Sequence, residues 1–175
     1  MTHQERIRLI QPGVSSPEGL WADLGSGSGA FTLALAELLR PPAEIFSIEE
    51  EAFRLKEQQQ SFHKHFPDFK VHFIQQDFTK GLQLPPLDGI LMANALHYIS
   101  EKENLVQTIR SHLKNTGCFI LVEYHTREVN PWVPYPISFA EWKKLARICG
   151  FKEIRLLGKH PSRFQHEIYA ACSWI

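Results

Sequence analysis

Short apolar runs alternate along this chain with longer stretches whose apolar residues recur at helical spacing. Leu20-Trp21-Ala22-Asp23-Leu24 reads as a strand that stops at Gly25-Ser26-Gly27-Ser28-Gly29. A helix is predicted over about 30–40, with Phe31, Leu35 and Leu38 at core spacing, and Pro41-Pro42 ends it. Ile45-Phe46-Ser47-Ile48 is the second strand. A helix over about 50–65 follows, with Phe53, Leu55 and Phe62 among long polar side chains. Val71–Ile74, Asp88–Ala93 and Cys118–Glu123 are predicted as the next strands, the last apolar enough to be covered on both faces. A helix over 100–113 opens on Ser100 with Glu103 three residues on, and a helix up to Cys149 opens on Ser138 with Glu141. Both pairs have the spacing of a capping box. Gly150 suits the left-handed position after the second of these helices. Phe151–Leu157 and Glu167–Ser173 close the chain as an antiparallel hairpin.

Strands alternating with helices imply an α/β fold: a largely parallel sheet with helices on both faces, in three layers. Residues 1–19 read as a lead-in rich in turn residues, and 20–175 as one domain. In such sheets ligands sit beyond the carboxyl ends of the strands, so the residues just after each strand matter most.

The glycine turn after the first strand lets a ligand approach the backbone, and the helix start that follows favours polar or anionic groups. Gly25-x-Gly27-x-x-Ala30 fits a dinucleotide fingerprint, with Glu49 at a suitable distance, so a nicotinamide-dependent oxidoreductase is one reading. Gly29 adds a third glycine at alternate spacing. Asp23 precedes the turn, where a carboxylate would attract an ammonium and repel a pyrophosphate.

Asp23-Leu24-Gly25-Ser26-Gly27-Ser28-Gly29 resembles motif I of the class I S-adenosylmethionine-dependent methyltransferases. Three further stretches are similar to that family's motifs, in order. They are Ile45–Glu49, Gln76-Asp77-Phe78 and Asp88–Tyr98. The resemblance implies a Rossmann-like, mostly parallel seven-stranded sheet whose C-terminal hairpin supplies an antiparallel strand. It implies S-adenosylmethionine as cofactor. Asp23, Gly25, Ser26, Gly27 and Gly29 in motif I would bind it, as would Asn94 after the fourth strand, where the chain would face the methionine portion and the methyl group. Glu49 would bind the ribose hydroxyls, and Glu50 beside it is a further candidate whose position suits a helix-start charge better than a ligand. Asp77 would bind the adenine amino group, with Phe78 against the base. A non-catalytic S-adenosylmethionine-binding protein is the other reading.

By the carboxyl-edge rule the acceptor side comprises the segments 94–99, 124–137 and 158–165. They carry Tyr98, His125, Trp132, Tyr135 and Arg163, an aromatic set suited to a small molecule. Displacement at a sulfonium needs mainly alignment. If the acceptor must lose a proton, His97 is the expected base. Only about twenty residues precede the first strand, so the 125–137 loop is expected to cover the acceptor unless the site is open or a second copy covers it in a homodimer. That loop and Arg163-Phe164 are expected to form opposite walls, with Arg127 and Arg163 receiving an acidic group.

Composition narrows the partners. Nineteen basic and nineteen acidic side chains give zero net charge, without the basic footprint that nucleic acid requires. No apolar run reaches membrane-span length and no signal core is evident, so a cytoplasmic protein is expected. Cys118, Cys149 and Cys172 are widely spaced and read as buried side chains. His63 and His65 do not share a helix face, so no metal site is expected.

Overall fold

A computed structural model describes residues 1–162 and 167–175. Seven strands form one sheet in the order β3-β2-β1-β4-β5-β7-β6. They are β1 (Leu20–Leu24), β2 (Glu44–Glu49), β3 (Lys70–Gln75), β4 (Leu87–Ala93), β5 (Leu113–Tyr124), β6 (Glu153–Pro161) and β7 (Glu167–Trp174). Neighbouring strands from β3 through β5 pair parallel, and β7 runs against both β5 and β6. This is the Rossmann-like sheet with an antiparallel C-terminal hairpin that the sequence predicts.

Side-chain alternation along the strands builds two cores. On one face Ala22, Leu24, Phe119 and Leu121 pack with α4 (Lys102–His112) and α5 (Phe139–Ile148). On the other, Trp21, Ile120 and Val122 pack with α1 (His3–Ile10), α2 (Ala30–Leu38) and α3 (Ala52–His65). Strand order reverses at β1, which lies between β2 and β4, and so opens a crevice at its carboxyl end.

The lead-in contains a helix that the sequence reading does not anticipate. Thr2 and Glu5 form a capping box, and Ile7, Leu9 and Ile10 are buried against the sheet. Conversely, the capping box expected at Ser100 does not form. The helix begins at Lys102, after Glu101, with no side-chain cap, because the chain leaves a short 3₁₀ turn at Leu96–Tyr98 extended and Lys102 Nζ donates to the Ile99 carbonyl. The box at Ser138 and Glu141 is present. Strand β5 begins earlier than its apolar run. Leu113 pairs with Leu87 ahead of a bulge, and Lys114 joins Asp88 at 2.7 Å.

Candidate active site

A cleft of about 800 Å³ lies at the switch point. Its lining includes Asp23, Gly25, Ser26 and Gly27 after β1, Glu49 and Glu50 after β2, Asp77 and Phe78 after β3, and Asn94 and Tyr98 after β4. Four separate motifs are thereby brought to one place by strand register alone. Gly29 is absent from this lining; its role lies beneath the turn.

The turn needs its glycines. Gly25, Gly27 and Gly29 all have positive φ, at 69°, 58° and 85°, where a Cβ is strained. Glu49 clamps the turn from the neighbouring strand. One of its oxygens accepts from Gly27 N–H at 2.8 Å and the other from Glu51 N–H at 2.9 Å. Each oxygen keeps a second lone pair for a ligand hydroxyl.

Asp23 is 1% exposed. Its Oδ2 accepts from the Thr32 hydroxyl at 2.6 Å, and its Oδ1 has no partner among the described residues. Burial is the main cause that pushes its pKa up to about 7. The nearby Glu49 charge pushes the same way, and the Thr32 hydrogen bond opposes both. Asn94 Oδ1 is also buried and unpartnered among the described residues. Asn94 is the one non-glycine residue described with positive φ, at 52°, and its N–H donates to the Val122 carbonyl at 2.8 Å. Two acceptors are thus buried without donors in one cleft, an arrangement that is costly unless a ligand completes it.

Asp77 caps the short turn after β3. Its Oδ1 accepts from the Thr79 N–H at 2.9 Å and from the Thr79 hydroxyl at 2.6 Å, and these bonds hold its carboxyl below the usual range. The Phe78 ring lies against Gly25, about 3.1 Å from where a Cβ would stand.

The acceptor-side residues are placed differently. His97 is 2% exposed and does not line the cleft. Its Nδ1 lies 2.8 Å from Glu123 Oε2, and its ring centroid lies 4.3 Å from Tyr98 and 5.6 Å from Tyr124. His125 is packed at the base of its loop, its Nδ1 accepting from Phe139 N–H at 3.5 Å and its ring edge-on to Tyr169. Trp132, 76% exposed, and Tyr135, 47% exposed, stand outside the cleft. The Tyr135 N–H donates to the His97 carbonyl at 2.9 Å and ties the loop beside Tyr98. Arg127 is exposed and paired with Glu141 at 3.4 Å, which competes with the acid-binding role expected of it. Arg163 and Phe164 lie outside the described residues, so the expected opposite wall does too.

What the sequence reading misses is α1. Met1 and Arg6 line the cleft, so the lead-in contributes to the site, whereas no residue of the 125–137 loop lines it. The Thr2-His3-Gln4-Glu5 box ahead of Ile7 and Ile10 is the signal that reveals it. A second hollow of about 700 Å³ shares Met1 and Ile168 with the cleft, and Thr2, Glu5, Tyr124 and His160 also line it. Glu5 and His160 face each other there at 3.2 Å. Among the described residues no three His, Cys, Asp or Glu side chains gather as for a metal, and no helix is long and apolar enough to cross a membrane.

A family model described as a methyltransferase domain matches residues 21–166. The chain belongs to the methyltransferase domain family. The methyltransferase resembles the YcgJ protein of Bacillus subtilis with a TM-score of 0.77 at 16% identity, over 98% of each chain. It resembles the magnesium protoporphyrin IX methyltransferase of Synechocystis, solved with bound S-adenosylmethionine, with a TM-score of 0.76 at 18% identity. That match covers 99% of this chain and 78% of the other. It also resembles phosphoethanolamine N-methyltransferase 2 of Haemonchus contortus, with a TM-score of 0.78 at 12% identity. Here 98% of this chain matches only 52% of the other, so this methyltransferase spans about half the length of that protein. No curated protein sequence matches it. At these identities the structures establish the fold, and the family model establishes a methyltransferase domain.

Proposed function

We propose that the cleft holds S-adenosylmethionine and that the chain passes its methyl group to a small-molecule acceptor. The observation that carries the reading is the pair of unsatisfied buried oxygens, Asp23 Oδ1 and Asn94 Oδ1, at the switch point. An ammonium supplies the donors they lack. Glu49 has lone pairs left for two ribose hydroxyls, and Asp77, kept ionised by Thr79, accepts from an adenine amino group while Phe78 covers the base. Gly25 and Gly27 leave room for the ligand against the backbone. The bound sulfonium supplies an electrophilic methyl. The chain's own work is to bind, align and exclude water.

A dinucleotide fits this cleft poorly. Asp23, Glu49, Glu50, Glu51 and Asp77 all line it, against the cations of Arg6, Arg54 and the N-terminus, and a pyrophosphate would meet that acidic rim.

We assign the acceptor to the seam beyond β4 and β5. Tyr98 borders the cleft, Tyr124 borders the second hollow, and His97 packs against both rings. Buried and paired with Glu123, His97 acts as a positioning residue for these tyrosines, in place of the general base that its sequence position suggests. Tyr135 and Trp132 are exposed on the loop that the Tyr135 N–H ties to the His97 carbonyl, with His125 packed at its base.

Calorimetry of one preparation with S-adenosylmethionine, S-adenosylhomocysteine and NADH tests the cofactor. Binding of the first two and not the third is expected; the reverse pattern removes the reading. Release of S-adenosylhomocysteine on addition of candidate acceptors then separates an enzyme from a binding protein.

A further inference from the structure

Gln58 occupies a position where an apolar residue is the ordinary choice. It shares the buried side of α3 with Leu55 and Phe62, and it is 0% exposed while Gln59 and Gln60 beside it are exposed. A buried amide is costly unless its hydrogen bonds are made, and here they are. Its Oε1 lies 3.2 Å from Ser26 Oγ and 2.9 Å from Ser47 Oγ, and its Nε2 lies 2.6 Å from Thr32 Oγ1. Thr32, itself 0% exposed, then donates to Asp23 Oδ2 at 2.6 Å.

The direction of this chain is set by its last member. In its ionised form, the one that attracts an ammonium, Asp23 only accepts, so the single Thr32 proton goes to it. The Thr32 oxygen must then receive its donor from elsewhere, which requires Gln58 to turn its NH₂ toward Thr32 and its carbonyl toward the two serines. The relay starts under Ser26 and ends at Asp23, both of which line the cleft. Gly29 leaves it room, since a Cβ there would overlap the Gln58 side chain.

We propose that Gln58 and Thr32 are positioning residues for ligand recognition, holding Asp23 with Oδ2 engaged so that Oδ1 is presented to the ligand's ammonium. The proposal rests on the S-adenosylmethionine reading above and names residues that do not themselves touch the ligand. If Thr32 loses its hydroxyl, the Asp23 carboxylate loses its only side-chain donor among the described residues and no longer has a fixed orientation. If Gln58 loses its amide, the Thr32 hydroxyl is no longer directed.

Calorimetry with two ligands tests this. S-adenosylhomocysteine carries the ammonium; 5′-methylthioadenosine keeps the nucleoside and sulfur but has no ammonium. In Thr32→Val and Gln58→Leu the affinity for S-adenosylhomocysteine should fall about tenfold or more, as for loss of a hydrogen bond to a charged group. Affinity for 5′-methylthioadenosine should stay within about twofold, a change under 0.5 kcal/mol. Thr32→Ser, which keeps the hydroxyl, should restore the first ligand. Equal weakening of both ligands would mean that the variants merely deform the glycine turn, and would overturn the relay while leaving the cofactor reading intact. Unchanged binding of both would overturn it as well. If the wild-type chain binds neither ligand, the cofactor reading falls and takes the relay with it. Should Gln58→Leu fail to fold, the contrast between Thr32→Val and Thr32→Ser decides alone.

Discussion

The two sides of the sheet's carboxyl edge are built in different ways. Around β1, β2 and β3, three cleft carboxylates are each fixed by a neighbour: Asp23 by Thr32, Glu49 by two backbone amides, Asp77 by Thr79. Beyond β5, the 125–137 segment buries Val133 and closes a turn between Asn130 and Val133, yet leaves Val129, Trp132 and Tyr135 exposed. Rigid preorganisation suits a ligand shared across a large family. A loop that turns its aromatic side chains to solvent suits a partner that differs from one member to the next. The difference teaches why the motifs speak to the cofactor and say little of the acceptor.

The comparison is broken most directly at Glu49. Glu49→Ala removes the clamp on Gly27 together with the ribose acceptor, and S-adenosylhomocysteine affinity should fall by about 1.5–3 kcal/mol for each charged hydrogen bond lost. Unchanged calorimetric affinity would reduce this buried acid to a clamp on the backbone with no part in binding.

Acidity sharpens the contrast next. Asp23, with its pKa pushed up to about 7, is largely neutral at pH 6 and ionised at pH 8. The ionised form attracts the ammonium, so affinity should rise between pH 5.5 and 7 by at most about 1.4 kcal/mol per unit and level off above. Stability of the free protein runs the other way. The folded value exceeds the unfolded one near 3.8, so the stabilising contribution of the neutral carboxyl is full below about 4 and is lost as pH rises through 7. Calorimetry and thermal melts across that range check both signs. The other titratable groups on the cleft, Glu49, Glu50, Glu51, Tyr98 and the N-terminus among them, are common to an Asp23→Asn control. That variant should lose the slope.

Thr2→Ala removes the α1 capping box and should lower stability by about 1 kcal/mol, measured by denaturant unfolding, with cofactor affinity reduced because Met1 and Arg6 lose their support. The smallest effect belongs to Trp132→Ala. As it lies outside the cleft, cofactor affinity should change by less than about 0.5 kcal/mol, while transfer to the acceptor falls. A large loss of cofactor affinity would erase the distinction between the two sides.

The strand and helix order was legible because apolar periodicity changes sharply at each glycine or proline cluster. Asp23, Glu49, Asp77 and Asn94 were legible because each stands at a strand's carboxyl end. Less was legible where polar residues do unexpected work. The helix of the lead-in is eight residues long and mostly polar, so only its capping box betrays it. Lys114-Asn115-Thr116 looks like a turn yet continues β5 across a bulge. Gln58 resembles the solvated glutamines that follow it, and only its three-residue spacing from Leu55 turns it inward. His97 stands where a base would stand. Its partner Glu123 is twenty-six residues away, so the pairing that buries it is a product of strand register that no local motif records.

The chain has four tryptophans, and their surroundings are unequal. Trp21 and Trp142 are sealed in the two cores, Trp174 is half-buried, and Trp132 stands in solvent on the loop beside Tyr98. A collisional quencher such as iodide therefore reaches one indole far more readily than the rest. The protein carries a built-in optical reporter on the proposed acceptor side: emission from Trp132 can be followed, unlabelled, while libraries of small molecules are screened for those that shield it.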